Sequence, residues 1–159
     1  MQRFAQPALV GLIEWIALPA LGITALRAKI DTGAHTATLH ASDFQPFERE
    51  GQAWLRFTAY TGSRRRPRTQ TCEAPLVGLR DIRSATGQLQ RRYVICTPMV
   101  LGPRCWPVEI SLTCRREMRY RALIGARALI DGHLQVDPSL SYLQGRPQLP
   151  APTTPSGVR

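Results

Sequence analysis

Apolar and polar positions along this chain change places over short distances, with a period nearer two than the 3.6 of a helix. The clearest stretch sets Trp106, Val108, Ile110 and Leu112 against Pro107, Glu109 and Ser111, which predicts a strand with one face buried. Gly22 to Ile30 alternates partly, with Ile23, Ala25, Arg27 and Lys29 on one side and Thr24, Leu26, Ala28 and Ile30 on the other. The second set is the expected core face. Ahead of it, Ala8 to Trp15 is a second apolar run, and Leu18, Pro19, Ala20 and Leu21 punctuate the backbone between the two. Together they predict two strands around a turn.

Further along, Ala53 to Tyr60 reads as a strand, followed by Thr61, Gly62 and Ser63 and then by Arg64, Arg65, Arg66, Pro67 and Arg68. That is the composition of an exposed basic hairpin tip, with Gln70 to Val77 returning from it. Leu79 to Arg83 and Arg91 to Thr97 flank Ser84, Ala85, Thr86, Gly87 and Gln88, which predicts a hairpin with a flexible polar tip. Tyr120 to Ile124 is an apolar run stopped by Gly125, and the strong helix formers of Ala126 to Ile130 give about one and a half turns of helix. From Gly145 onward Pro147, Pro150, Pro152 and Pro155 leave little to bury, so residues 146–159 are expected to form a disordered tail behind a domain of residues 1–145.

Composition sharpens this into an all-β expectation. A chain of 159 residues fits one domain that buries its own core without staples, and its 13 prolines and 12 glycines favour many short strands over long helices. The formal net charge of +10, nearly all from arginine, attracts anions. Nucleic acid, an acidic peptide and a ribosomal surface all satisfy that attraction, and so does a simple solvated basic face. Cys72, Cys96, Cys105 and Cys114 are too widely spaced for a CxxC motif and are expected to be mostly reduced, buried small hydrophobes. The most apolar stretch, Leu9 to Ile23, is interrupted by Glu14 and Pro19 and is shorter than a bilayer requires. The expectation is a soluble, cytoplasmic protein with no membrane contact.

Candidate chemistry lies at Asp31, Thr32 and Gly33, which follow the second strand directly. If a second carboxylate approaches, one acid accepts a proton from water while the other donates a hydrogen bond to a peptide carbonyl. Two carboxylates within about 3 Å share a proton, because both cannot readily ionise. Gly33 lets the backbone turn close beneath the acid, and the Thr32 hydroxyl suits a reciprocal contact between two copies of the loop across a two-fold axis. Only one Asp-Thr-Gly occurs, and no Asp-Ser-Gly follows, so a pair of acids requires a homodimer. The tripeptide alone arises by accident in roughly one chain in ten of this length. The bland reading is a turn capped by Asp31.

A second element strengthens the case: Ala122, Leu123, Ile124, Gly125, Ala126, Arg127, Ala128 and Leu129, far downstream. The two segments resemble the Asp-Thr-Gly-Ala loop and the hydrophobic-hydrophobic-Gly plus short helix of retropepsin-like aspartic proteases. Glu14-Trp15, Leu18-Pro19, Leu39-His40-Ala41, Arg83-Ser84 with Gly87, Trp106 to Ile110, Leu112 with Arg115 and Met118, Val136-Asp137-Pro138 and Ser141-Tyr142-Leu143 extend the likeness over residues 9–145. They resemble the bacterial branch that carries the name ATP-dependent zinc protease. The chain has neither an HExxH helix nor a GxxxxGK[ST] loop, and His35, His40 and His133 show no ligand spacing, so neither zinc nor ATP is expected as a cofactor.

The resemblance implies a closed acid-protease barrel with one short C-terminal helix. It also implies a catalytic Asp31, Thr32 and Gly33, with Leu123, Ile124 and Gly125 supporting that loop. A hairpin flap with its tip at Ser84 to Gln88 would put Ala34, Ser84, Ala85, Thr86 and Gly87 against the substrate, a peptide or protein, acidic or glutamylated given the basic surface. Viral members place Arg directly after the downstream Gly to hold an acid near the active loop. Here Ala126 follows Gly125, Arg127 comes one later and His35 stands where the acid falls, so the usual pairing is in question and the strand containing Val136 and Tyr142 is an alternative support for dimerisation. Two functions follow: an aspartic endopeptidase, or a non-catalytic module whose Arg-rich loop holds RNA or an acidic tail.

Overall fold

A computed structural model describes residues 4–84, 86–114 and 119–149. The first apolar run makes two strands where one was predicted, β1 (Ala8–Val10) and β2 (Ile13–Leu18). Gly11 separates them because any side chain there would run into the Leu140 carbonyl. After a 3-10 turn over Pro19–Leu21, β3 (Ile23–Ile30) returns antiparallel to β2, pairing Ile13 with Lys29 and Ile16 with Leu26. Leu26, Ala28 and Ile30 are buried while Arg27 and Lys29 are exposed, as the alternation predicts. Its first two positions reverse, Ile23 buried and Thr24 exposed, because the β2–β3 register shifts between Ile16 and Leu18.

Four hairpins then link β4 (Ala37–Arg49), β5 (Gln52–Gly62), β6 (Pro67–Arg83), β7 (Leu89–Leu101) and β8 (Arg104–Thr113) in an antiparallel meander. The sequence pattern gives no strand at β4, for a reason visible in its burial: Ala37 to Ala41 are buried at five successive positions, so no alternation exists there to be read. The short β9 (Ala122–Ile124) inserts parallel to β3 and antiparallel to β4, β4 lies parallel to β8, and β7 meets β2 at Ala17 and Val100. Hydrogen bonding thus runs around a closed ring, β2–β3–β9–β4–β8–β7 and back to β2, from which β5 and half of β6 project. This is the expected all-β barrel. Its single described helix, α1 (Ala126–Asp131), follows β9 directly.

Ile16, Leu18, Leu39, Leu55, Phe57, Met99, Trp106 and Ile124 fill the interior. Trp106 is 1% exposed, and its indole N–H donates to the Ala128 carbonyl at 3.2 Å, fixing α1 to the barrel wall. Trp54 is only half-buried, beside Phe47 and under the Arg49 guanidinium. Of the cysteines only Cys72 is buried; Cys96 is half-buried, and Cys105 and Cys114 are exposed. The expectation of buried thiols therefore fails at two positions that fall on the outward phase or at the end of β8.

Beyond α1, β10 (Leu134–Val136) pairs in parallel with β1. Val136 and Tyr142 do not share a strand: β10 ends at Val136, and Tyr142 sits at φ 57 in a loop. This C-terminal segment is clamped by Glu14, which is wholly buried and accepts hydrogen bonds from the N–H groups of Gly11 (2.7 Å), Leu143 (3.0 Å) and Gln144 (3.1 Å). The clamping continues into the region expected as tail, where Arg146 stacks on Trp15 at 4.0 Å and the Gln148 N–H donates to the Gly102 carbonyl. Residues 150–159 of that tail lie outside the described residues. No described helix is long and apolar enough to cross a membrane.

Candidate active site

Asp31 stands where β3 leaves the barrel, and its neighbours hold it by backbone bonds. Its own N–H donates to the Ile124 carbonyl at 2.9 Å, continuing the β3–β9 ladder by one residue. Its carboxylate Oδ1 accepts the Gly33 N–H at 3.0 Å, and its carbonyl accepts the Ala34 N–H at 3.3 Å. From the far side α1 closes the loop: the Ala126 N–H donates to the Ala34 carbonyl at 2.7 Å and the Arg127 N–H to the His35 carbonyl at 3.0 Å. Gly125 is what lets the helix come this near, since a Cβ there would stand 2.8 Å from the carbonyl oxygens of Ala34 and Thr36. Two segments some ninety residues apart therefore form one hydrogen-bonded latch, with Leu123 half-buried beside Asp31 and Ile124 in the core.

Above the loop lies a cleft of about 610 Å³, bordered on one side by Asp31, Gly33, Ala34 and Leu123 and on the other by Asp81, Arg83 and Ser84 from the β6–β7 hairpin. That hairpin turns at Ser84, whose N–H donates to the Gln88 carbonyl at 2.8 Å, and the Gly87 N–H closes the turn on the Ser84 carbonyl. Arg83 donates to the Gly87 carbonyl and the Ser84 hydroxyl meets that of Thr86. The structure thus brings Asp31, Gly33, Ala34 and Ser84 to one cleft. Thr86 and Gly87 sit at the exposed hairpin tip and do not line it, and Ala85 lies outside the described residues. Thr32 is exposed and faces an adjoining hollow with Lys29, Val136 and Pro138.

Sequence reasoning overlooked Arg92, which is buried yet lines the same cleft. Its Nε and Nη2 donate to the Gln90 side chain, and its Nη1 lies 3.3 Å from the Ser111 hydroxyl and 3.4 Å from that of Thr38. The available signal is an arginine on the same inward phase of β7 as Val94. The departure at Ala126 has a structural counterpart: the Arg127 guanidinium turns away from the loop to pair with Asp131 at 3.2 Å, and His35 is exposed. Among the described residues no three His, Cys, Asp or Glu side chains converge as metal ligands, so the donor set does not fit a zinc centre.

A closed barrel whose Asp-Thr-Gly loop is latched to a strand–Gly–helix element beneath a hairpin is the single-lobed acid-protease architecture. Residues 9–147 match the model of one such family, and the chain belongs to it: the RimB-like family, described as retropepsin-like aspartic endopeptidase RimB. Among curated relatives, a "Probable alpha-L-glutamate ligase" of Shewanella halifaxensis is 40% identical over 138 residues, covering 87% of this chain and 30% of the relative. One of the same name from Parasynechococcus marenigrum is 39% identical over 137 residues, covering 86% and 29%. The chain thus spans under a third of the length of these relatives. A crystal structure of a protein of unknown function from Legionella pneumophila superimposes with a TM-score of 0.71 at 29% identity, covering 86% of this chain and 98% of that one.

Proposed function

We propose that the protein is an aspartic endopeptidase that cuts peptide bonds as a homodimer, each subunit supplying one Asp31. The observation that carries this reading is the latch: a carboxylate held by its own Gly33 amide at the floor of a cleft that a β-hairpin overhangs. In the dimer the two Asp31 side chains hold one proton and one water between them. The ionised acid takes a proton from the water as its oxygen bonds to the scissile carbon, and the protonated acid hydrogen-bonds the carbonyl oxygen. The resulting gem-diol breaks its C–N bond as the leaving nitrogen takes up a proton from the acid, releasing an amine and a carboxylic acid.

The substrate we assign is a polypeptide bearing acidic or glutamylated stretches. Two features support it: the formal net charge of +10, and relatives in which a domain like this one is part of a longer chain named for glutamate ligation. Four free thiols suit the reducing cytoplasm. The test is Asp31→Asn. The variant should keep its thermal midpoint and lose at least about 10²–10⁴-fold in cleavage rate, the range of a general acid–base contribution. Retained cleavage would remove the mechanism; a biological effect that survives the substitution but vanishes when Arg64, Arg65, Arg66 and Arg68 become Ser would favour the binding-module reading.

A further inference from the structure

Beyond the cleft, four hollows follow one another along the outer face of β3. The first, beside Asp31 and Thr32, is lined by Lys29, which also lines the second with Arg119 and Tyr120. Arg119 and Tyr120 border the third, a hollow of about 350 Å³ that adds Arg27 and Arg121. Gly62 and Ser63 carry the third into the fourth, which ends at Arg66 and Arg68 on the basic hairpin. Shared lining residues set these hollows side by side as a segmented trough, in series from the candidate catalytic loop to the hairpin tip.

Charge in the trough is one-sided. Asp31, at its end, is the sole carboxylate among its described lining residues. Elsewhere Arg49, Arg80 and Arg127 pair with Glu73, Glu109 and Asp131, whereas none of the trough's cations belongs to an ion pair among the described residues. A concave surface of one sign focuses its field outward and concentrates ligands of the opposite sign. Arg27 and Lys29 stand two residues apart on one face of β3, about 7 Å along the strand, which is also the repeat of same-side side chains in an extended peptide.

We propose that this trough is a specificity-determining subsite in which Arg27, Lys29 and Arg119 hold acidic side chains of an extended polypeptide on one side of the bond to be cut. The proposal rests on the peptidase reading, because it is the opening of the trough beside Asp31 that assigns it to a peptide rather than to a nucleic acid. A substrate lying across Asp31 leaves the cleft along cations that form no ion pair among the described residues, and each carboxylate it carries at alternate positions meets one of them.

The experiment uses the full chain carrying Asp31→Asn, so that the probe survives, and measures fluorescence anisotropy with labelled oligoglutamate and oligoglutamine. Oligoglutamate should bind at least tenfold more tightly, and adding Arg27→Ser with Arg119→Ser should reduce that preference to about twofold, as expected for losing two exposed charge contacts. Added salt should erode the preference of the parent more than that of the variant. Equal binding of the two peptides, an unchanged preference in the variant, or tighter binding of oligothymidylate than of oligoglutamate would each overturn the assignment. The two readings fail separately. Cleavage of neutral and acidic peptides with equal kcat/KM by the unsubstituted protein removes the subsite and leaves the peptidase. Selective binding of oligoglutamate with no cleavage removes the peptidase and leaves an anion-binding trough.

Discussion

At the scale of single residues, the candidate site depends on a missing methyl group. Gly125 lets α1 close on the Asp31 loop, and a Cβ there would meet the carbonyl oxygens of Ala34 and Thr36 at 2.8 Å, closer than real side chains stand. Gly125→Ala must displace backbone on one side or the other. Overpacking of this kind costs about 1–3 kcal/mol, to be read from urea denaturation, and cleavage should fall by more than the lost folded fraction because the displaced backbone carries Asp31. Cys72 gives a pH-dependent prediction. Burial pushes its thiol up from 9.0 to about 11, partly offset by a hydrogen bond donated to the sulfur by the Ala59 backbone N–H. A folded-state value raised in this way favours the protonated form, so its contribution to stability is complete below about pH 9 and is lost as pH rises towards 11. The denaturation midpoint should fall across that window, and Cys72→Ala should flatten the fall; an identical slope in the variant would show that other groups carry it.

Elements show where hydrophobic patterning can be read and where it cannot. β8 is half-buried, and Trp106, Val108, Ile110 and Leu112 announce it. The first turn of the ring at β4 is enclosed by β8 and β9 on either side, so its buried residues run consecutively and hide the period. The β1–β2 break is equally silent in sequence, since its cause is the carbonyl of Leu140, more than a hundred residues away, approaching Gly11. Glu14 joins these distant pieces. Its buried carboxylate accepts N–H bonds from Gly11, Leu143 and Gln144, so Glu14→Gln replaces an acceptor oxygen with a donor and leaves at least one N–H unmet. The loss should be about 1–3 kcal/mol, and limited proteolysis should then cut first within residues 141–149.

At the scale of the whole molecule, one chain contains one Asp-Thr-Gly and therefore half of the proposed dyad. Cleavage rate per subunit should rise with protein concentration and level off over the range in which sedimentation shows the mass doubling. A concentration-independent rate from a species that sediments as a monomer would remove the homodimer from the mechanism. Arg127 is committed to Asp131 and lies turned away from the loop, so replacing it should move the monomer–dimer midpoint by less than a factor of about two, the scale of an exposed i, i+4 pair.

The amino-acid sequence by itself determined whatever depends on neighbours in the chain: the alternation that makes strands, the turn chemistry of the two polar hairpins, and a carboxylate placed on a glycine turn behind an apolar strand. Its likeness to a known pattern extended that to the partnership of Asp31 with Ile124 and Gly125. Tertiary structure alone decided which buried segments touch. It joined β4 to β8 and β9, put Arg92 in the cleft, seated Glu14 under the C-terminal segment and merged scattered arginines into a trough beside Lys29. The physical reason is one of range: propensity and periodicity act over a few residues, whereas ring closure and charge focusing arise from segments brought together only when the barrel shuts.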